Sequence, residues 1–396
     1  MTDLQNITQP LPPLTIRSHH PDSTREIVLR TPVINGGMGV GVTGPELAAA
    51  ITNEGGGGVI TGVALGYPFQ VILNKYVDKK PFEANSLALM DWIADTKKKC
   101  NNGFVGVNIM VAVNDFKDLA YNAAKAGVDL IVAGAGLPMA LPDIVSKFPD
   151  TMIAPIISSV KAARVMVRRW LSRHRPPDAI VYESIHHSGG HQGGDLSEIA
   201  AGANQPEEVI GGVRQLLDEN GLQDVPVIAA GGVWDKVDIL KYLSWGAQGV
   251  QMSSRFVLTH EAGAEFGGIP LFKKLYMDNN IPTILERSPA GLPGRAIATP
   301  FSKRYAYANV DMVNEEHDCP SACLASCDKQ KSIYCILYHL TEALRNNYEE
   351  GLFFAGSNVG KPGIIKEILS VKELMRRLEE GEPGVISPSQ VAAAAL

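Results

Sequence analysis

The chain has 396 residues, of which 45% are hydrophobic and 20% charged, so it carries enough apolar material for a large buried core and is not disordered throughout. Its net charge of −6 lacks the basic excess of a protein that tracks phosphate backbones, and nucleic acid is not an expected partner. No apolar run approaches the roughly 18–20 residues of a membrane span, and the polar start Met1–Gln9 has no signal-peptide pattern, so a soluble cytoplasmic protein with no membrane partner is expected.

Residues 1–30 read as an N-terminal lead-in. Short β-branched apolar runs then recur at Val33–Asn35, Gly58–Thr61, Phe104–Ile109, Leu130–Ala133, Met152–Ile157, Ala179–Tyr182, Val227–Ala229 and Gly249–Met252. Most are continuously apolar rather than alternating, as parallel strands covered on both faces are. Between them the sequence predicts helices at Pro45–Asn53, Leu87–Lys99, Phe116–Ala126, Pro138–Lys147, Val160–Arg173, Pro206–Asn220 and Lys236–Leu243, with Pro45 and Pro206 at first-turn positions that tolerate proline. Eight strands alternating with helices predict an α/β fold, a (β/α)8 TIM barrel over residues 31–258. A doubly wound open sheet is the alternative, since sequence does not show closure. Residues 259–390 break the rhythm, with helices expected at Glu261–Met277, Ser332–Asn346 and Ile364–Glu380; they read as an appended, mostly helical, cysteine-containing region over the barrel mouth, followed by a frayed tail at 391–396.

Chemistry-bearing residues fall at strand ends. The first strand runs into Gly36-Gly37-Met38-Gly39-Val40-Gly41, where missing side chains let backbone N–H groups approach a ligand. Asn108 ends the third strand and offers amide donors and an acceptor suited to a heteroaromatic ring edge. The sixth strand ends in Glu183-Ser184-Ile185-His186-His187-Ser188-Gly189-Gly190-His191-Gln192-Gly193-Gly194, a turn with three imidazoles able to move protons near neutrality. His191, flanked by glycine pairs, is the favoured acid/base residue; adjacent His186 and His187 would point apart if extended, which disfavours a metal there. Strands seven and eight end in Gly231-Gly232 and Gln251-Met252-Ser253-Ser254, the two loops that usually hold phosphate in such barrels.

In this order, Pro32–Gly39, Gly106-Val107-Asn108, Ser188–Gly193, Ala230–Val233 and Gly249–Phe256 closely resemble the nitronate monooxygenase family and its relatives, the flavin-dependent enoyl-acyl-carrier-protein reductases. The resemblance implies FMN held by Gly37, Met38, Asn108, Gly190, Gly231, Gly232, Gln251, Met252, Ser253 and Ser254, with His191 beside it. It also implies a small-molecule nitronate substrate and O2, or, in the reductase reading, NAD(P)H acting on enoyl thioesters or quinones; a homodimer stays open. Gly356-Ser357-Asn358 resembles the family's late loop that returns to the flavin. Two departures stand out: Asn35 replaces a frequent glutamine and is expected to alter contacts near the flavin or substrate, and Ser253-Ser254 replace a usual Gly-Thr pair. The segment carrying Cys319, Cys323, Cys327 and Cys335 resembles a tail of a longer subgroup. Four thiolates there could bind zinc or an iron–sulfur cluster, and packing of small buried thiols is the alternative.

Overall fold

The computed structural model describes residues 9–278, 282–285, 288–306, 319, 321–327 and 334–382. Its strands are β1 Leu14–Arg17, β2 Glu26–Leu29, β3 Val33–Asn35, β4 Val59–Thr61, β5 Gly106–Met110, β6 Leu130–Gly134, β7 Met152–Ile157, β8 Ile180–Glu183, β9 Gly190–His191, β10 Val227–Ala230, β11 Gly249–Met252, β12 Pro282–Leu285 and β13 Gly294–Ile297. Eight of them form one parallel sheet in the order β3-β11-β10-β8-β7-β6-β5-β4. The buried residues of these strands are almost all aliphatic, which is why each run lacks alternation.

The ends of that order, β3 and β4, meet across a short seam. Ile34 and Gly57 form an isolated parallel bridge, and the Gly57 N–H donates to Val33 O at 2.9 Å. One residue further on, the Asn35 side chain replaces main-chain pairing: its Nδ2 donates to Val59 O at 2.6 Å and its Oδ1 accepts from Val59 N at 2.8 Å. Asn35 is fully buried in this role and lines neither cavity; it reaches the glycine turn through a 3.2 Å bond from its Nδ2 to Gly36 O. The sheet is thus a TIM barrel closed by one bridge and one amide, and the open-sheet alternative falls.

The lead-in contains an antiparallel hairpin, β1–β2, that the sequence reading missed. Leu14, Ile16 and Leu29 pack with Ile34, Leu130 and Val181 and form an apolar plug under the barrel interior. Helices surround the barrel close to the expected positions, the third beginning earlier, at Pro81, and running to Lys99. The stretch Pro138–Lys147 makes only one turn, Leu141–Ile144.

Beyond the barrel, the expected helix Glu261–Met277 shortens to Pro270–Met277, because Gly263, Gly267 and Gly268 all have positive φ. Residues before Val371 are also not helical: Leu369 bridges Thr259, and Ser370 caps the helix Val371–Glu380 through the Glu373 N–H. The expected helix Ser332–Asn346 is seen as Ile336–Leu344; Ser332 and the tail 391–396 lie outside the described residues. None of the described helices is long and apolar enough to cross a membrane.

Candidate functional site

At the C-terminal ends of the barrel strands lies a cavity of about 190 Å3. Gly37, Met38, Asn108 and Gln251 line it from the barrel. Gly190, His191, Ser253 and Ser254 complete the set of expected residues on its wall. A second, smaller cavity adjoins it, lined by Gly231, Gly232, Met252 and again Gln251, Ser253 and Ser254. All eleven residues proposed from sequence therefore border one of two neighbouring spaces.

The glycine turn is needed where it stands. A Cβ on Gly37 would lie 2.3 Å from Asn108 Cβ, and one on Gly36 would lie 2.2 Å from Ser253 Oγ, so the chain passes against both groups with no room for a side chain. On the phosphate side, Gly231 and Gly232 have φ of +93° and +77°, the left-handed region that favours glycine. The late loop closes over this second cavity: Gly356 N donates to Ser254 Oγ at 3.0 Å, and Asn358 Nδ2 donates to Gly232 O at 2.9 Å. Two buried polar atoms here, Gln251 Oε1 and Ser188 Oγ, have no protein partner among the described residues. A polar ligand that reaches this wall would satisfy them, and the residues present fit a flavin mononucleotide.

His191 is held from two sides. Its backbone belongs to β9, which pairs with β13 so that His191 faces Gly294, and its Nε2 is hydrogen-bonded to Ser288 Oγ at 2.8 Å. Phe354 packs edge-on against the imidazole, ring centres 5.3 Å apart. Desolvation pushes the His191 pKa down to about 4, so the ring is neutral at pH 7. Buried Arg295 stiffens the loop by donating to Ser188 O, Gln192 Oε1 and Ile185 O. The neighbouring histidines diverge, as expected: His186 Nε2 meets Ala203 O at 2.7 Å, while His187 Nδ1 meets Ser357 Oγ at 3.2 Å beside the second cavity.

Three residues of this site went unassigned in the sequence reading. Glu183 ends β8 and borders both cavities, and burial pushes its carboxyl up to about 7; its position at a strand end was the available signal. Ser288 and Arg295 come from a loop and strand about a hundred residues downstream, and no spacing rule connects them to His191.

The cysteine expectation needs correction. Among the described residues, no group of three or more His, Cys, Asp or Glu side chains could hold a metal ion. Cys323 is buried in the wall of the main cavity, where desolvation pushes its thiol up to about 12, and Cys319 Sγ accepts from Ala322 N at 3.2 Å. The buried Cys323 thiol is held neutral as a packing group, and among the described residues Cys319, Cys323, Cys327 and Cys335 form no group that supports a zinc or cluster site.

The chain matches the family model for nitronate monooxygenase across residues 22–381. A probable nitronate monooxygenase of Bacillus subtilis is 26% identical over 376 residues, covering 89% of this chain and 96% of that one. FabK of Thermotoga maritima, 23% identical, superposes with a TM-score of 0.64 over 92% of this chain and 96% of its own. The nitroalkane oxidase of Streptomyces ansochromogenes, 18% identical, gives a TM-score of 0.64 over 92% and 98%. These two likenesses show a shared fold. The family match runs from the end of the lead-in through the late loop and the helix after it, and it places this chain in the nitronate monooxygenase family of flavin-dependent oxidoreductases.

Proposed function

We propose that the chain binds FMN and oxidises alkyl nitronates with O2, giving a carbonyl compound and nitrite. The observation that carries this reading is the shared wall of the two cavities: Gln251, Ser253 and Ser254 border both, so a ring system beside His191 and a phosphate beside Gly231-Gly232 can belong to one ligand. The backbone at Gly37-Met38 and the Asn108 amide would hold the ring, and the Ser253-Ser254 hydroxyls with the second cavity's glycine turn would hold the phosphate. Bound FMN supplies the electron-accepting and O2-reactive chemistry.

The protein's part is orientation and proton handling. A neutral imidazole at His191 can donate a hydrogen bond to a nitro oxygen or take the α-proton of a neutral nitroalkane onto a ring nitrogen. Ser288 fixes the ring plane. Nitronates arrive already deprotonated, so their turnover needs only the first of these roles.

An anaerobic visible spectrum of the purified protein, taken before and after adding an alkyl nitronate and separately NADH or NADPH, tests the reading. Bleaching of a bound flavin by nitronate and not by nicotinamide is expected. Bleaching by NADH or NADPH alone would replace it with an NAD(P)H-dependent reductase acting on enoyl thioesters or quinones. Nitrite and carbonyl compound formed per nitronate and O2 consumed under air give the stoichiometry.

A further inference from the structure

The cysteine-bearing segment, whose described residues show no metal-binding group, has a place in the site. Its residues 322–325 lie along the loop after β5: Asn114 N donates to Cys323 O at 3.0 Å, Ala325 N donates to Ala112 O at 2.9 Å, and Val113 and Leu324 form an antiparallel bridge. Asn114 Nδ2 adds a bond to Ala322 O at 2.6 Å, and Ser326 Oγ donates to Pro289 O at 2.8 Å, next to the residue that holds His191. The helix Ile336–Leu344 then turns Ile336, Leu337 and Leu340, spaced one and four residues apart on one face, onto the same cavity. Tyr338, between them, faces outward and is 39% exposed.

The result is an apolar stretch of cavity lining made of Met110, Val113, Leu324, Ile336, Leu337 and Leu340. Among the described lining residues there is no Lys, Arg or Asp, and the one carboxyl group is Glu183 at the barrel end. A charged substrate tail placed against this wall would lose its hydration without gaining a partner, whereas an alkyl chain would shed water from both surfaces.

We propose that the substrate carries an uncharged aliphatic chain that lies against this wall, and that Leu324, Leu337 and Leu340 set its preferred length. The assignment of the chain to a nitronate rests on the function proposed above; the apolar wall does not.

The test separates the two. Isothermal titration of the purified protein with butyramide, hexanamide, octanamide and succinamate measures binding without turnover, and a matched series of primary nitronates measures kcat/KM. Affinity and kcat/KM are both expected to rise about three- to four-fold per methylene from the butyl to the hexyl members. In Leu340→Asp, with a circular dichroism melt to check folding, the slope should flatten; Leu340 is only partly buried, and the wild-type series stands without the variant. Equal affinity across the wild-type series, or tighter binding of succinamate than of hexanamide, overturns the proposal. A rising amide series with no nitronate oxidised keeps the wall and removes the nitronate reading.

Discussion

His191 Nε2 and Ser288 Oγ stand 2.8 Å apart although 97 residues separate them in the chain. Ser288 is 8% exposed, and its bond fixes the plane of a ring whose backbone, in β9, is already held by pairing with β13. His191→Ala should lower nitronate turnover about ten- to a hundredfold, the loss of one hydrogen bond to the anionic nitro group, and turnover of the neutral nitroalkane about 10²- to 10⁴-fold, while the purified protein keeps its flavin. Ser288→Ala removes only the positioning bond, and a fall in kcat of about tenfold is expected with KM and flavin content unchanged. Ser288→Thr restores the hydroxyl and should recover most of the rate. A His191→Ala protein with full turnover would sink the assigned role, and loss of flavin from Ser288→Ala would make Ser288 a structural residue instead.

The close approach of Gly37 to Asn108 gives a sharper test of cofactor seating. A Cβ at position 37 would sit 2.3 Å from Asn108 Cβ, on a barrel strand end that has little freedom to retreat. Gly37→Ala should therefore weaken FMN binding by at least tenfold, read as flavin absorbance per protein and as the Kd of added FMN. The same overlap should lower the thermal midpoint of the flavin-free protein, so the FMN Kd is read at a temperature where the variant is fully folded. Wild-type affinity for FMN in this variant would mean that the ring lies elsewhere.

Much of this was legible because the information is local. Barrel strands declare themselves as continuous apolar runs, and most expected ligand residues lie within a few positions of such a run's C-terminal end, with Gly190 and His191 farther along the loop after Tyr182. What sequence concealed was set by tertiary pairing. Ser288 and Arg295 meet the histidine loop through a small antiparallel sheet, β12-β13-β9, whose third strand is only Gly190–His191 and has no period to detect. The expected helix from Glu261 failed for a local reason, since three glycines before Pro270 take left-handed backbone angles. The four cysteines suggested a ligand set by their spacing, yet of these only Cys323 is buried and lines the cavity, where the segment docks on the loop after β5.

Opposed buried groups should make stability unusually flat with pH. His187 and His191 are pushed down from 6.5 to about 4, so in the range from about pH 4 to 6.5 the unfolded chain binds protons that the native one does not, and stability is lost as pH falls. Glu183, pushed up from 4.5 to about 7, and Asp238, pushed up from 3.8 to about 6, act with the opposite sign: the native state holds their protons, and stability is lost as pH rises through those values. Desolvation is the largest cause in all four. Glu183→Gln removes one opposing proton, so flavin-free protein should gain a slope of about 1.4 kcal/mol per pH unit between pH 4.5 and 6.5, with stability rising with pH. Urea midpoints at four pH values, wild type against variant, measure it, and parallel curves would refute the balance.

The barrel's closure gives the last prediction. Across the seam, Ile34 and Gly57 supply the only bridge recorded among the described residues, and the sheet order leaves β3 and β4 otherwise unpaired with each other. Asn35 continues the pairing with its side chain, whose Nδ2 and Oδ1 meet Val59 O and N as a peptide group would. Asn35→Leu keeps a similar volume and strands both Val59 groups in a site with no access to water. Each stranded group costs about 1–3 kcal/mol, so the variant should lose about 2–6 kcal/mol of stability. Gln at the same position has the right amide on a stem one methylene too long, and should recover only part of the loss. Because Gly36 follows directly and donates its N–H to Met252 O at 2.9 Å, loosening of the seam should reach the glycine turn, and FMN affinity should fall together with the urea midpoint. An Asn35→Leu protein that unfolds at the wild-type midpoint would show that the barrel closes without this amide.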